Sequence, residues 1–115
     1  MTAKRAFYFF VILSLGIALV GCERMKIADI VADPGRYMNK EVRVAGHVTQ
    51  SIGFMSKGIY QVDDGTGKLW VLANGRGVPS KGAKVGVKGR ITPTVTFMGI
   101  NYATVMRETD RRSGE

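Results

Sequence analysis

Few side chains in this sequence could do chemistry, and their spacing decides which kinds remain open. Cys22 is the single cysteine and His47 the single histidine. Asp63 and Asp64 are adjacent carboxylates, followed by Gly65-Thr66-Gly67. A metal centre needs several His, Cys or carboxylate ligands at ligand spacing, and the sequence carries no such cluster. Any Ser-His-Asp set would have to run through His47, and no serine sits in a nucleophile motif. Gly65-Thr66-Gly67-Lys68 lacks the length and spacing of a phosphate-cradling loop. Asp and Gly tolerate positive φ, so Asp63-Asp64 reads as turn chemistry ahead of acid–base work. No metal, no cofactor and no enzymatic activity is therefore expected. Cys22 stays open: ending an apolar run, it could be core, a metal ligand, half a disulfide or a point of attachment.

The residues before Cys22 narrow its role. Lys4 and Arg5 make a short basic head, and Ala6 to Cys22 carries no charge. That run is somewhat shorter than the roughly 20 residues that cross a bilayer as a helix. A basic head, a short apolar middle and small residues at its end are the parts of an export signal. Leu19-Val20-Gly21-Cys22 resembles the lipobox of bacterial lipoproteins. The resemblance implies a diacylglyceryl group on the Cys22 thiol, cleavage before Cys22, and acylation of the new amino group with a chain such as palmitate. Two or more such chains hold a protein stably at a membrane, and one only marginally. The alternative is an uncleaved signal-anchor helix in which Cys22 is merely small and apolar. The expected organisation is a signal peptide over 1–21, a lipidated N-terminus and tether over 22–25, a folded domain over 26–108 and a polar tail over 109–115. Glu23, where the family's inner-membrane signal is usually aspartate, favours by resemblance the periplasmic side of the outer membrane over the inner membrane.

Composition bounds the folded part. Residues 22–115 suit one small domain. With no second cysteine, no disulfide framework is possible within the chain, and packing must supply the stability. Loss of Lys4 and Arg5 takes the formal charge from +8 to +6, still basic. That excess favours anionic partners, whether phospholipid head groups, acidic glycans or nucleic acid.

The elements that must position any site follow from periodicity. Ile27, Ile30 and Val31 are spaced for one helical face, which predicts a short helix over Ile27–Ala32 and a turn at Asp33-Pro34-Gly35. From Glu41 the period becomes two, predicting strands over 41–50, 58–64, 68–73, 84–92 and 100–108. Asp64 to Gly67 should join the second and third strands as a hairpin. Residues 74–83 read as a loop, Pro93 as an interruption after the fourth strand, and the end of the chain as a fraying tail. Val42-Arg43-Val44-Ala45-Gly46-His47-Val48 echoes Val85-Gly86-Val87-Lys88-Gly89-Arg90-Ile91. A mid-strand glycine costs stability unless the strand bends sharply, so both strands are expected to curl around one barrel.

Residues 37–48, 60–72 and 81–91 together resemble the OB-fold, within its bacterial branch similar to nucleic-acid-binding and anticodon-binding domains. The Asp64-Gly65-Thr66-Gly67 hairpin is the most specific piece. The resemblance implies an all-β, five-stranded Greek-key barrel with a short N-terminal helix. The family's helix between strands three and four is not visible here, and the N-terminal helix could plug the barrel end instead. OB-folds bind oligonucleotides or oligosaccharides on the outer face of strands two and three and on the loops between strands one and two and four and five.

Period assigns Tyr60, Val62, Leu69, Val71 and Ala73 inward, and Ile59, Gln61, Asp63, Trp70 and Leu72 outward. Candidate ligand-binding residues are then Trp70, Phe54, Lys57, Gln61, Leu72, Arg76, Lys81, Phe97 and Asn101. They could form a groove of aromatic platforms and basic posts. They could equally be ordinary packing, with the N-terminal helix over Trp70 and Leu72, and Phe54 against Phe97. The expected function is a lipid-anchored, non-enzymatic envelope module that binds a partner protein, glycan or anionic surface. The alternative is a single-stranded nucleic-acid-binding protein.

Overall fold

A computed structural model describes residues 24–114. The signal segment expected over 1–21 and the expected lipidation site Cys22 lie outside the described residues. The chain runs α1 (Ile27–Ala32), α2 (Pro34–Tyr37), β1 (Glu41–Phe54), β2 (Lys57–Asp63), β3 (Lys68–Leu72), β4 (Lys84–Phe97) and β5 (Ile100–Ser113). The five strands close into a barrel in the order β1-β2-β3-β5-β4, with β3 and β5 parallel and the other pairs antiparallel. This is the all-β OB-like barrel that the strand pattern implies.

The inward period holds. Val44, Val48, Tyr60, Val62, Leu69, Val71, Val85, Val87, Ile91 and Met106 form the barrel core, all essentially inaccessible to water. The echoed segments pair with each other. Val44 stands opposite Val87, which sets Val42 against Gly89 and Gly46 against Val85. The two glycines serve the same purpose. A Cβ on Gly46 would run into the backbone carbonyl of Asp63, and one on Gly89 into that of Arg107. Each lets a long strand turn closely past the strand that follows it.

The helix α1 plugs one barrel end. Ile27 and Ile30 are fully buried in the barrel core. Its first turn has no capping side chain of its own, and the β2–β3 turn supplies one. Asp64 Oδ2 accepts from the Ile27 N–H at 2.9 Å, and Thr66 Oγ1 accepts from the Ala28 N–H at 3.1 Å. Asp64 Oδ1 also accepts from the N–H groups of Thr66 and Gly67, so one carboxylate holds both the turn and the helix start. Pro34 opens a further short helix, α2, where a simple turn was expected; proline at the first helical position is pre-set for that conformation.

Two strands run past the limits their sequence suggests. Pro93 lies inside β4 and does not end it. β1 pairs with β4 as far as Arg90 and residues 38–40 bridge Ile91, so beyond Ile91 β4 has a free edge where a missing N–H costs no ladder bond. β5 continues to Ser113, pairing residues 110–113 with Val85 to Lys88, so the end expected to fray is strand. In mid-strand Thr104 adopts φ 51°. A β-branched residue in the left-handed region is uncommon, and here it shifts the alternation, so that Tyr102 and Val105 face the same side.

No helix lies between β3 and β4. A buried cluster fastens that loop instead. Glu108 accepts from the Tyr60 hydroxyl and, through Oε2, from the Asn74 N–H at 3.2 Å. Arg111 pairs with Glu108 at 3.1 Å, donates to the Gly77 carbonyl at 3.2 Å and lies over the Tyr60 ring. Burial, reinforced by the Glu108 carboxylate, pushes the Tyr60 hydroxyl well above the ordinary range of tyrosine.

Candidate ligand-binding groove

Beyond the barrel, β1–β2 and β4–β5 extend as two hairpin arms. Each ends in a two-residue turn with methionine first: Met55-Ser56 and Met98-Gly99. Met98 and Gly99 both take positive φ (51° and 80°), as a type I′ turn demands, and Met55 sits at 60°. The tips are apolar and open. Phe54 is 55 % exposed and Met55 89 %. Met98 and Ile100 are also exposed.

The β4–β5 arm packs on the outer side of β2 and β3. Val95, Tyr102 and Val105 join Ile59 in a second small core, with Ile52, Trp70, Leu72 and Phe97 packed around it. Ile59 points outward as its period requires, yet it is 0 % exposed. Part of the outward face is therefore covered. The cover is the β4–β5 arm and not α1, which occupies the barrel end. Trp70 is half-buried beneath Tyr102.

Between the arms a groove of about 540 Å³ remains. Lys57 and Ser56 line it from the β1–β2 arm, and Thr94, Val95, Thr96 and Phe97 from the β4–β5 arm. Leu72, Ala73, Gly75 and Arg107 complete the wall. Two cations and three hydroxyls thus meet an apolar surface. No carboxylate, histidine or cysteine lines the groove. Such a lining can hold anionic groups and pack against rings or alkyl chains.

Of the sequence candidates, Lys57, Leu72 and Phe97 come together in this groove, with Phe54 exposed at the adjoining tip. The others stand apart. Gln61 accepts from the Thr49 hydroxyl at 2.9 Å. Arg76 pairs with Asp110 at 3.5 Å. Asn101 accepts from the Thr96 hydroxyl at 2.5 Å, bracing the β4–β5 arm. Lys81 is exposed in the turn before β4, outside the groove lining. Phe54 does not close the loops, since more than half its surface is open.

Arg107, Thr94 and Thr96 were missed. Arg107 reaches the groove because β3 and β5 pair in parallel, Leu72 beside Arg107, and only barrel closure creates that neighbourhood. Among the described residues, no group of three or more His, Cys, Asp or Glu could hold a metal ion.

No protein-family model matches this chain, and no curated protein matches it by sequence. A solved structure is similar in fold: asparaginyl-tRNA synthetase from Pyrococcus horikoshii, with a TM-score of 0.55 and 17 % identity. The likeness covers 70 % of this chain and 21 % of the synthetase, so this chain spans a small part of that protein. At this identity the likeness concerns the fold, a small OB-like barrel.

Proposed function

We propose that this chain is a non-enzymatic OB-fold binding module whose groove takes a flexible anionic chain bearing flat rings, a single-stranded oligonucleotide. The observation that carries this reading is the meeting of Lys57 and Arg107 with Phe97 and Leu72 between the two hairpin arms. OB-folds take such ligands on this side of the barrel. Phosphates would sit on Lys57 and Arg107, and bases on Phe97 and the open ring of Phe54. Each base–aromatic stack contributes about 1–3 kcal/mol. The similar fold found in an enzyme named for a tRNA supports a nucleic-acid use of the barrel. The test is a titration of a fluorescent single-stranded oligonucleotide at rising salt. Affinity should fall steeply as salt rises, because counterion release drives such binding; no binding at low salt would dismiss the reading.

A second reading is favoured by a different observation, the Leu19-Val20-Gly21-Cys22 sequence. In this reading Cys22 is acylated and the domain sits in the cell envelope, on the periplasmic side of the outer membrane. The groove would then hold a partner protein or glycan. Palmitate labelling that vanishes in Cys22→Ala supports it, and labelling that persists removes Cys22 as the site.

A further inference from the structure

The outer face of β1, β4 and the end of β5 is a separate basic surface. Cross-strand pairing sets Arg43 beside Lys88, His47 beside Lys84, and Arg112 beside Gly86. Ala45 faces Gly86 at the centre, so the floor has almost no side chain. Arg24 borders this floor on both sides: one shallow hollow is lined by Arg24, Arg43, Lys88 and Arg112 together with Asp110, the adjoining one by Arg24, His47 and Lys84. Four acids border it, and two of them, Asp63 and Asp64, share a hollow with His47 on the β2 side. Glu41 is 3.7 Å from Lys88, and Asp110 is 3.5 Å from Arg76, which reaches in from the β3–β4 loop. Arg24, Arg43, Lys84, Lys88 and Arg112, with Arg76, outnumber Glu41, Asp63, Asp64 and Asp110, so the face is positive on balance.

The chain leaves the barrel on this same face. The Met25 N–H donates to the Arg43 carbonyl at 2.7 Å, which pins the residue after Arg24 to β1. Cys22 is two residues before Arg24, at most about 7 Å of extended chain. Ahead of it runs the uncharged stretch Ala6 to Cys22.

We infer that this face docks on an anionic phospholipid surface, with Arg24, Arg43, Lys84, Lys88 and Arg112 against lipid phosphates. The inference rests on the membrane attachment of the second reading. Whether Cys22 carries acyl chains or the apolar stretch itself inserts, the short connection brings this face to the head groups. A flat floor flanked by cations on β1, β4 and β5 suits a plane of phosphates better than a single buried anion. Docked this way, the barrel contributes its own charge-dependent hold beside the anchor.

The test uses the full chain with Cys22→Ser and a fluorophore at His47→Cys, or at Ser56→Cys on the groove rim as control. Vesicles of phosphatidylcholine, with or without phosphatidylglycerol, carry a head-group quencher. The probe at position 47 should be quenched more when phosphatidylglycerol is present, and the probe at 56 should not. Arg43→Gln and Lys88→Gln should each lower the docked-to-undocked ratio about five-fold. High salt should abolish the difference between the lipids. Equal quenching in both lipids, or no response to the two substitutions, overturns the inference. Sedimentation of the native chain, Cys22 intact and isolated from membranes, with phosphatidylcholine vesicles at high salt reads the attachment alone. A native chain that fails to sediment there, while the labelled variant is quenched at position 47 with phosphatidylglycerol, removes the attachment and supports the docking face. Loss of oligonucleotide binding in Arg43→Gln and Lys88→Gln, with lipid quenching unchanged, overturns it in favour of nucleic acid.

Discussion

Tyr102 meets Trp70 edge-on, with ring centroids 4.8 Å apart and ring planes at 61°. This contact joins the β4–β5 arm to the outer side of β3. It turns what an alternating pattern presents as an open apolar face into a second small core, and leaves a groove beside that core.

Removing the Tyr102 ring should expose the indole beneath it. Tyr102→Ala should cost about 3–5 kcal/mol, as for other large buried aromatic truncations. Trp70 fluorescence in this variant should be quenched more strongly by acrylamide than in the native protein. Denaturant unfolding and quenching together check the contact; unchanged quenching would show that other groups cover Trp70.

The two echoed glycines should be intolerant of a single methyl. Gly46→Ala and Gly89→Ala each place Cβ against a neighbouring strand's backbone, which cannot swing aside as a flexible side chain would. Each should destabilise by about 2–3 kcal/mol, in the range of overpacking. Gly35→Ala, where nothing lies within 4 Å, is the control and should be neutral or slightly stabilising. Thermal melts of the three variants separate close approach from general sensitivity.

The Asp64 turn makes an acid-side prediction. Its partial burial opposes ionisation, but the N–H groups of Ile27, Thr66 and Gly67 and the Thr66 hydroxyl outweigh that, and its carboxyl is held below the ordinary 3.8. A depressed carboxylate stabilises the fold above its ordinary value, and that contribution is lost as pH falls through the folded-state value. Native stability should therefore drop below about pH 3.8, and Asp64→Asn should flatten that limb. At neutral pH the same variant should lose about 1 kcal/mol, as for loss of a helix cap. Denaturant unfolding against pH checks both.

The Tyr60–Glu108–Arg111 cluster predicts the alkaline side. Burial first, and the Glu108 carboxylate second, raise the Tyr60 hydroxyl above its ordinary 10.0. The neutral phenol therefore stabilises the fold below pH 10, and this contribution fades as pH climbs beyond it. In a spectrophotometric titration one tyrosine should ionise only as the protein unfolds. Glu108→Ala should cost about 3–5 kcal/mol by leaving Arg111 and Tyr60 without their buried partner.

Much of this was legible in the residues. Val44 and Val87 mark their strands by period, and the matching phase of Gly46 and Gly89 announced two curled strands of one barrel. The Asp64-Gly65-Thr66-Gly67 turn was readable as a turn, though not as the cap of α1, since that bond spans 37 positions. Ile59, Trp70 and Leu72 were rightly assigned outward, but a period of two cannot say what lies above a face. That depended on the β4–β5 arm, whose length was masked by Pro93 and whose alternation shifts at Thr104. Arg107 entered the groove through the parallel β3–β5 pairing, a neighbourhood with no local signal.

The central claim is that Lys57 and Arg107 hold the phosphates of a single strand in the groove between the arms. Its most direct test is the salt dependence of oligonucleotide binding in the native chain and in a Lys57→Gln, Arg107→Gln double variant. Each lost phosphate contact should reduce the slope of log affinity against log salt by about 0.7, or about 1.4 for the pair. Weaker binding with that shallower slope is the predicted result; a double variant with native affinity and native slope would contradict it.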